Sequence, residues 1–421
     1  MKRILKEQID LIRPAKKELL EIKKEVNLFV EELKKEVNRG KQKGDVFVGG
    51  SFAKGTLVKK DKYDVDVFVR FDWKYEKLSE LLVKPLKNLG KRHKWKVERI
   101  HGSRDYFRVY FSDKSYFEVI PVTKIKHPRE ERNVTDLSYF HVPYIKKRIK
   151  GLEEDIMLAK TFCHAQKVYG AETYVQGFSG YALELLVIHY KGFKKMLKQL
   201  IKVRKDNRLI VDPEKHYKRK NDVLFDMNEA KLQSPIILVD PTYKERNALA
   251  ALSRETFERF QSAAKKFLRN PKKNYFVKKP IDVKKLRKIK GEFIHVKLET
   301  DRQEGDIAGT KLKKFSEFLI MEMKEYFKIK RDEFDYNDSK DADLYLVVES
   351  KREIIRMGPP NYTKKLRKHI QAFKKEHKKT FVKEGILHAK IKVNFTGKEF
   401  IQKLKRRDEV KDMGITGIKI K

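Results

Sequence analysis

The stretch Phe47–Phe71, FVGGSFAKGTLVKKDKYDVDVFVRF, reads as a strand, a glycine turn and a second strand. In the second strand Asp64 and Asp66 stand one residue apart among Val65, Val67 and Val69. Side chains at i and i+2 share a face, so the two carboxylates project together while the valines turn to the core. Two like charges side by side are costly unless they share a cation. Mg²⁺ suits such a pair, because it takes oxygen ligands and keeps positions open for substrate phosphates. The plain alternative is an edge strand with an acidic, solvated face. The upstream turn weighs against it. Gly49, Gly50, Ser51, Gly55 and Thr56 follow a strand directly, and the backbone N–H groups of such a turn make an anion site for a triphosphate. It is not a P-loop, since Thr56 stands where G-x-x-x-x-G requires Lys.

The rest of the chain agrees with a polyanionic partner. Lys and Arg number 101 against 60 Asp and Glu, a formal net charge of +41 over 421 residues. So large a charge repels itself and points to nucleic acid, although a lysine-rich or heat-adapted surface explains part of it. A lone cysteine, Cys163, excludes an intrachain disulfide and leaves a zinc site short of sulfur ligands. The absence of any long apolar run, and a first segment broken by charge throughout, give the expectation of a cytoplasmic protein without a signal or membrane span.

Periodicity predicts an α+β multidomain chain. A helix runs to about residue 41, with Leu19, Ile22, Val26, Phe29, Val30 and Leu33 on one stripe and Pro14 parting it from a shorter first helix. Strands follow at Asp45, Asp64, Tyr106 and Tyr116, with a helix ending at Gly90 between them. These make a head over 1–141. Helices dominate 142–275; one begins at Gly180 with Ser179 as N-cap and continues through KGFKKMLKQLI, and Arg246 follows in a turn. Over 276–421 the strands FIHVKLET, DLYLVV and LHAKIKV, with a basic helix before the last, suggest a small ferredoxin- or RRM-like body and tail of the kind that binds RNA.

A glycine turn followed by an Asp-x-Asp strand belongs to nucleotidyltransferases of the polymerase β type, which need a third carboxylate from a neighbouring strand. Glu118 in YFEVIPV is the candidate. Asp113 is the rival, in a turn where Asp is common for local reasons. Beyond the head, NVTDLSYFH, VYGAETYVQGFSGYALELLVIHY, VDPTYKERNALAALS and RMGPPNYTKKLRKHIQAF make the chain resemble the archaeal-type, class I CCA-adding enzymes. The resemblance implies a template-independent tRNA nucleotidyltransferase that adds C, C and A from CTP and ATP. Asp64, Asp66 and Glu118 would hold two Mg²⁺ ions. Gly50, Ser51 and Lys54 would meet the triphosphate. His141, Lys160 and Tyr169 would complete the phosphate and sugar contacts, and Arg246 would bond the incoming base. It further implies contacts to the acceptor stem and T arm of tRNA, and it admits a homodimer. The family carries Asp where this chain has Glu118 and Arg where it has Lys54, and it runs further after NFTGKEFIQKL. Two other readings share the same head: a poly(A) polymerase or oligonucleotide synthetase, and an RNA-binding protein with a decayed catalytic centre.

Overall fold

The computed structural model describes residues 1–40, 42–361 and 366–421, without the side chain at 411. The stretch YTKK of the C-terminal resemblance motif, residues 362–365, and the end of the N-terminal helix at 41 therefore lie outside the described residues. The chain divides into two compact units, Met1–Lys279 and Pro280–Lys421.

In the first unit, α1 (Lys2–Ile12) and α2 (Lys16–Val37) are parted by Pro14, as the sequence predicts. Glu18 caps α2 by accepting from the Ala15 N–H at 2.9 Å. The stripe Ile22, Val26, Phe29, Leu33 and Val37 is buried. Next come β1 (Gly44–Val48), the single-turn α3 (Gly50–Ala53), β2 (Tyr63–Phe71), α4 (Leu78–His93), β3 (Lys96–Ile100), β4 (Tyr106–Tyr110) and β5 (Ser115–Thr123). The five strands form one sheet in the order β1-β2-β5-β4-β3. Val65, Val67 and Val69 of β2 are fully buried in the same cluster as the α2 stripe, Leu82 and Leu86 of α4, and Val109, Phe117 and Val119. Because α2 and α4 cover that face, the alternate residues of β2, β5 and β4 emerge on the other. The polar face of β2 is thus fixed by the pleat.

One expectation fails in this region. Helix α4 runs through Gly90 to His93 and ends at Lys94 in the left-handed region, φ 59°. Gly90 serves a close approach instead of a stop: a Cβ there would sit 2.9 Å from the Trp95 carbonyl oxygen.

The helical part of the unit comprises α5 (Ser138–Arg148), α6 (Glu153–Ala165), α7 (Gly180–His189), α8 (Phe193–Leu200) and, after β6 (Leu209–Val211), α9 (Val223–Asp226) and α10 (Glu229–Leu232). Strands β7 (Ile236–Asp240) and β8 (Tyr243–Asn247) precede α11 (Arg254–Arg269). Ser179 does cap α7, accepting from the Ala182 N–H at 3.2 Å. The predicted single helix from Gly180 is in fact two. Lys191 and Gly192 have φ of 54° and 122°, and this break lets α8 fold back. Arg246 lies on β8 and not in a turn. The core of this part is aromatic, with Phe162 at ring-centroid distances of 5.7 to 6.1 Å from Phe193, Phe260, Phe267 and Phe276. Helix α1 packs into this core through Ile9 and Ile12.

The second unit begins with α12 (Val283–Arg287), β9 (Glu292–Glu299), α13 (Asp306–Tyr326), β10 (Phe327–Tyr336) and β11 (Asp341–Ser350). It continues with β12 (Glu353–Pro360), α14 (Arg367–Glu376), β13 (Thr380–Lys383), β14 (Ile386–Lys392), α15 (Gly397–Leu404), α16 (Asp408–Asp412) and β15 (Gly417–Ile420). The antiparallel sheet β10-β11-β9-β15, with α13 and α15, has the βαββαβ order of a ferredoxin-like fold. The expected grouping is corrected in one respect. LHAKIKV, as β14, does not join DLYLVV but sits in a separate three-stranded sheet, β12-β14-β13, inserted with α14 before α15.

Candidate active site

The site is built where β2, β5 and β4 lie side by side. β2 and β5 are parallel with Asp66 opposite Glu118, and β5 and β4 are antiparallel with Glu118 opposite Arg108. Residues opposite one another share a face, so Asp66, Glu118 and Arg108 form one row across three strands. Asp113 stays in the turn between β4 and β5, outside that row.

The carboxylates carry the mark of their crowding. Asp66 retains some contact with solvent but is enclosed on most sides. Burial, with the charges of Glu118 and then Asp64, pushes its pKa up to about 7. Burial also pushes Glu118 up, against the pull of Arg108. Cations of the chain itself partner the outer two. Lys60 Nζ donates to Asp64 Oδ1 at 2.6 Å, and an Arg108 Nη donates to Glu118 Oε1 at 2.9 Å. Among the described residues, no group of three or more His, Cys, Asp or Glu side chains is placed as it stands to hold a metal ion. The donor chemistry nevertheless fits a hard divalent cation. Three crowded carboxylates, Asp66 and Glu118 with raised proton affinity, would be relieved by one, and Lys60 and Arg108 are the groups it would have to displace.

The glycine turn rests directly on this row. The Gly49 N–H donates to the Asp66 carbonyl oxygen at 2.9 Å. Gly50 has φ 59°, and a Cβ there would lie 1.7 Å from Asp66 Oδ2. Glycine is required twice over, by backbone hand and by contact. Ser51 follows within the same turn.

Two buried polar clusters complete the site. In the first, Glu184 is inaccessible and accepts from Lys54 Nζ at 2.7 Å and Lys160 Nζ at 2.9 Å. Lys160 also donates to Thr56 Oγ1 at 3.0 Å. Burial opposes the Glu184 charge, but Lys160 and Lys54 outweigh it and hold the carboxyl below its usual range. Lys160 is lowered, because burial there exceeds the attraction of a carboxylate that it must share. Tyr169 stacks on His164 at 4.3 Å, and its hydroxyl lies 2.9 Å from where a Cβ on Gly180 would be.

In the second cluster, buried Asp240 accepts from His141 Nε2 at 3.0 Å, Arg246 Nη1 at 2.7 Å and the Tyr181 hydroxyl at 3.0 Å. The His141 and Tyr181 rings stack at 3.8 Å. Burial lowers the His141 pKa in spite of Asp240, so the ring is neutral near pH 7, with the proton on Nε2. Lys54, just after the glycine turn, reaches Glu184, and Gly180 lies against Tyr169 and Lys160 immediately before Tyr181 of the second cluster, so the row and the two clusters adjoin.

The ten residues singled out from sequence are therefore brought together: Asp64, Asp66, Glu118, Gly50, Ser51, Lys54, His141, Lys160, Tyr169 and Arg246. Sequence reading missed Glu184, Asp240, Tyr181 and Arg108 as their partners. Glu184 did leave a signal, as the one charge within the apolar run ALELLVI. Arg108 left none until the β4–β5 register was known.

Comparison with known proteins gives a consistent result. A family model for a nucleotidyltransferase domain matches residues 30–171, and one for the second domain of tRNA nucleotidyltransferases matches 154–277. The chain is 33% identical over 360 residues to a CCA-adding enzyme of Nanoarchaeum equitans, covering 84% of this chain and 85% of the relative. It is 27% identical over 410 residues to a CCA-adding enzyme of Sulfurisphaera tokodaii, covering 95% and 91%. A similar enzyme of Pyrococcus abyssi matches at 30% over 66% of this chain and 61% of its own length. In fold, the chain is similar to the solved RNA terminal uridylyl transferase Cid1, with a TM-score of 0.50 at 12% identity over 66% of this chain and 98% of that one.

Proposed function

The chain belongs to the CCA-adding enzymes, tRNA nucleotidyltransferases, and on that premise we propose that it extends the tRNA 3′ end with CTP and ATP by two-metal-ion nucleotidyl transfer at this site, releasing pyrophosphate. The observation that carries the reading is the register of Asp66 beside Glu118, with the Gly49–Ser51 turn resting on Asp66.

Asp64, Asp66 and Glu118 would hold the Mg²⁺ ions. Bound there, the ions supply Lewis acidity, acidifying the attacking 3′-hydroxyl and stabilising charge on the pentavalent phosphorus. The chain's own groups do the rest. The Gly50–Ser51 backbone offers N–H donors to the triphosphate. Lys54 and Lys160, held by Glu184, supply positive charge without a large reorganisation. Tyr169 contacts phosphate and sugar as a donor, and neutral His141, whose one N–H is committed to Asp240, meets a sugar hydroxyl as an acceptor through Nδ1. Arg246 meets the base. In this reading residues 1–141 are the catalytic head, 142–275 complete the nucleotide pocket, and the basic 276–421 segment binds the acceptor stem and T arm. No helix of the described residues is long and apolar enough to cross a membrane, and the enzyme is assigned to the cytoplasm with its tRNA.

The deciding experiment supplies a tRNA transcript lacking its CCA with Mg²⁺ and CTP or ATP, separately and together, and reads product at single-nucleotide resolution. Two C additions with CTP alone, then a single A, are expected. A long A ladder would favour the poly(A) polymerase reading. Absence of incorporation despite tRNA binding would favour the decayed-head reading.

Two further results are expected. Gly50→Ala forces an L-residue into the left-handed region and pushes a methyl into Asp66, so the carboxylate must move. A displacement of about 1 Å at a reacting centre costs roughly a hundredfold. A fall in kcat of that order is expected, and a Gly50→Ala enzyme within threefold of wild type would count against the close approach.

The second concerns metal and pH. A carboxyl raised to about 7 contributes stability that is whole below its unfolded pKa near 4 and is lost as pH rises through 7. The metal-free protein therefore loses this contribution at pH 8, and a divalent ion, which binds the ionised form, restores it. The Mg²⁺-induced rise in Tm should be larger at pH 8 than at pH 6. Equal rises, measured by calorimetry after chelation, would contradict the assignment of Asp66 as a ligand.

A further inference from the structure

We propose that Asp240 is a specificity-determining positioning residue: it locks the guanidinium of Arg246 so that the nucleotide site accepts C and A and refuses U and G. The inference rests on the family reading above and deepens it.

The two oxygens of Asp240 have separate duties. Oδ1 accepts from the Tyr181 hydroxyl at 3.0 Å and from the N–H and hydroxyl of Thr242 at 2.9 and 2.8 Å. These bonds tie the carboxylate to α7 and to its own turn. Oδ2 accepts from His141 Nε2 and Arg246 Nη1 at 3.0 and 2.7 Å. A carboxylate offers about four acceptor directions, and five donors converge here, so its plane has no freedom left. The strand prepares the arrangement. β7 is buried along its whole length, and the β7–β8 register shifts between Val239 and Asp240, which re-aims the last side chain. Asp240 is itself inaccessible, whereas the Arg246 side chain keeps 20% exposure. One Arg246 nitrogen is committed inward, and the remaining fork faces outward from a fixed anchor.

A fixed donor suffices for the choice. On the Watson–Crick edge the ring nitrogen of C (N3) and of A (N1) is an acceptor, while that of U (N3–H) and of G (N1–H) is a donor. Guanidinium only donates. A held Arg246 therefore bonds C and A, and against U and G it sets donor against donor, leaving buried polar groups unpaired. A guanidinium free to swing would instead retreat to the carbonyl oxygens of U or G, and the rejection would fade. His141 on the same oxygen and Tyr181 stacked against it keep the anchor from rotating.

The test uses the full chain with tRNA lacking its terminal nucleotides, and measures kcat and KM for CTP, ATP, UTP and GTP. Asp240→Asn keeps shape but loses charge and one acceptor. It is expected to raise KM for CTP and ATP about tenfold and to relax discrimination against UTP and GTP by about tenfold. In an Arg246→Ala background it should relax discrimination no further. Tyr181→Phe removes one donor while retaining the ring, so it guards against a misfolded Asp240→Asn; a partial relaxation of about threefold is expected in it. Equal loss of turnover for all four nucleotides, with discrimination within twofold of wild type in the folded variants, would overturn the proposal and leave Asp240 a structural residue. If the wild type adds C, C and A while discrimination is unmoved, only this inference falls. If the wild type extends no tRNA, the function reading falls and takes this one with it.

Discussion

Asp66→Ala is expected to lower nucleotide incorporation by at least about a thousandfold while leaving the protein folded. Loss of a single electrostatic stabiliser of a transition state already costs about a hundred- to a thousandfold, and Asp66 is the central member of the carboxylate row. It touches the glycine turn on one side and shares its row with Glu118 on the other. The same crowding predicts an opposite effect on stability. In the metal-free protein the Asp66 charge is disfavoured by burial and by two neighbouring carboxylates. Asp66→Asn should therefore raise Tm at pH 8 relative to metal-free wild type while incorporation is lost. Such an exchange of stability for function is common where a site concentrates like charge. The check is a pair of measurements on one preparation, thermal unfolding after chelation and single-nucleotide extension with Mg²⁺. A stable Asp66→Ala protein that retained a tenth of wild-type turnover would remove Asp66 from the reaction.

The second large effect is expected at Glu184. It has no accessible surface, and both lysines paired with it are nearly enclosed, at 10% and 9% side-chain exposure. Removing the carboxylate strands two buried cations, and breaking a buried pair by deleting one partner costs about 3–5 kcal/mol. Glu184→Ala should therefore lower the denaturation midpoint strongly, at constant m-value. Glu184→Gln, which keeps the volume and an acceptor, should cost less. The pairing also sets the pH response of Glu184 apart from that of Asp66. Glu184 is depressed and so loses its contribution only as pH falls through and below the usual carboxylate range, whereas the raised Asp66 loses its contribution toward pH 7. The two act in different windows. If Lys160→Met with Glu184→Leu proved more stable than Glu184→Leu alone, the cause would be identified as the unpaired charge and not the lost volume, because residue 184 is the same in both. The reverse order would count against it.

Some of this was legible in the chain alone, for a local physical reason. Strand period put Asp64 and Asp66 on one face and Val65, Val67 and Val69 on the other, and nothing remote was needed to decide it. The same holds for Pro14 between α1 and α2 and for Ser179 at the start of α7, because caps and breakers act within one turn. The motifs named the remaining site residues through family likeness, a different and weaker kind of legibility.

What only the tertiary structure decided has the common property of depending on register or on close approach. Glu118, and not Asp113, stands beside Asp66 because β5 runs parallel to β2 in that register. Gly90 does not stop α4, because the demand on it comes from Trp95 beyond the helix. The segment after Gly180 breaks at Lys191–Gly192, where two positive φ values let α8 turn back onto the aromatic core. Glu184, Asp240 and Arg108 acquire their parts from residues 6 to 130 positions away in sequence. A sequence determines which side chains are available and which local face each one takes. Pairing across the fold decides which charges meet, and in this protein the meeting of charges makes the site.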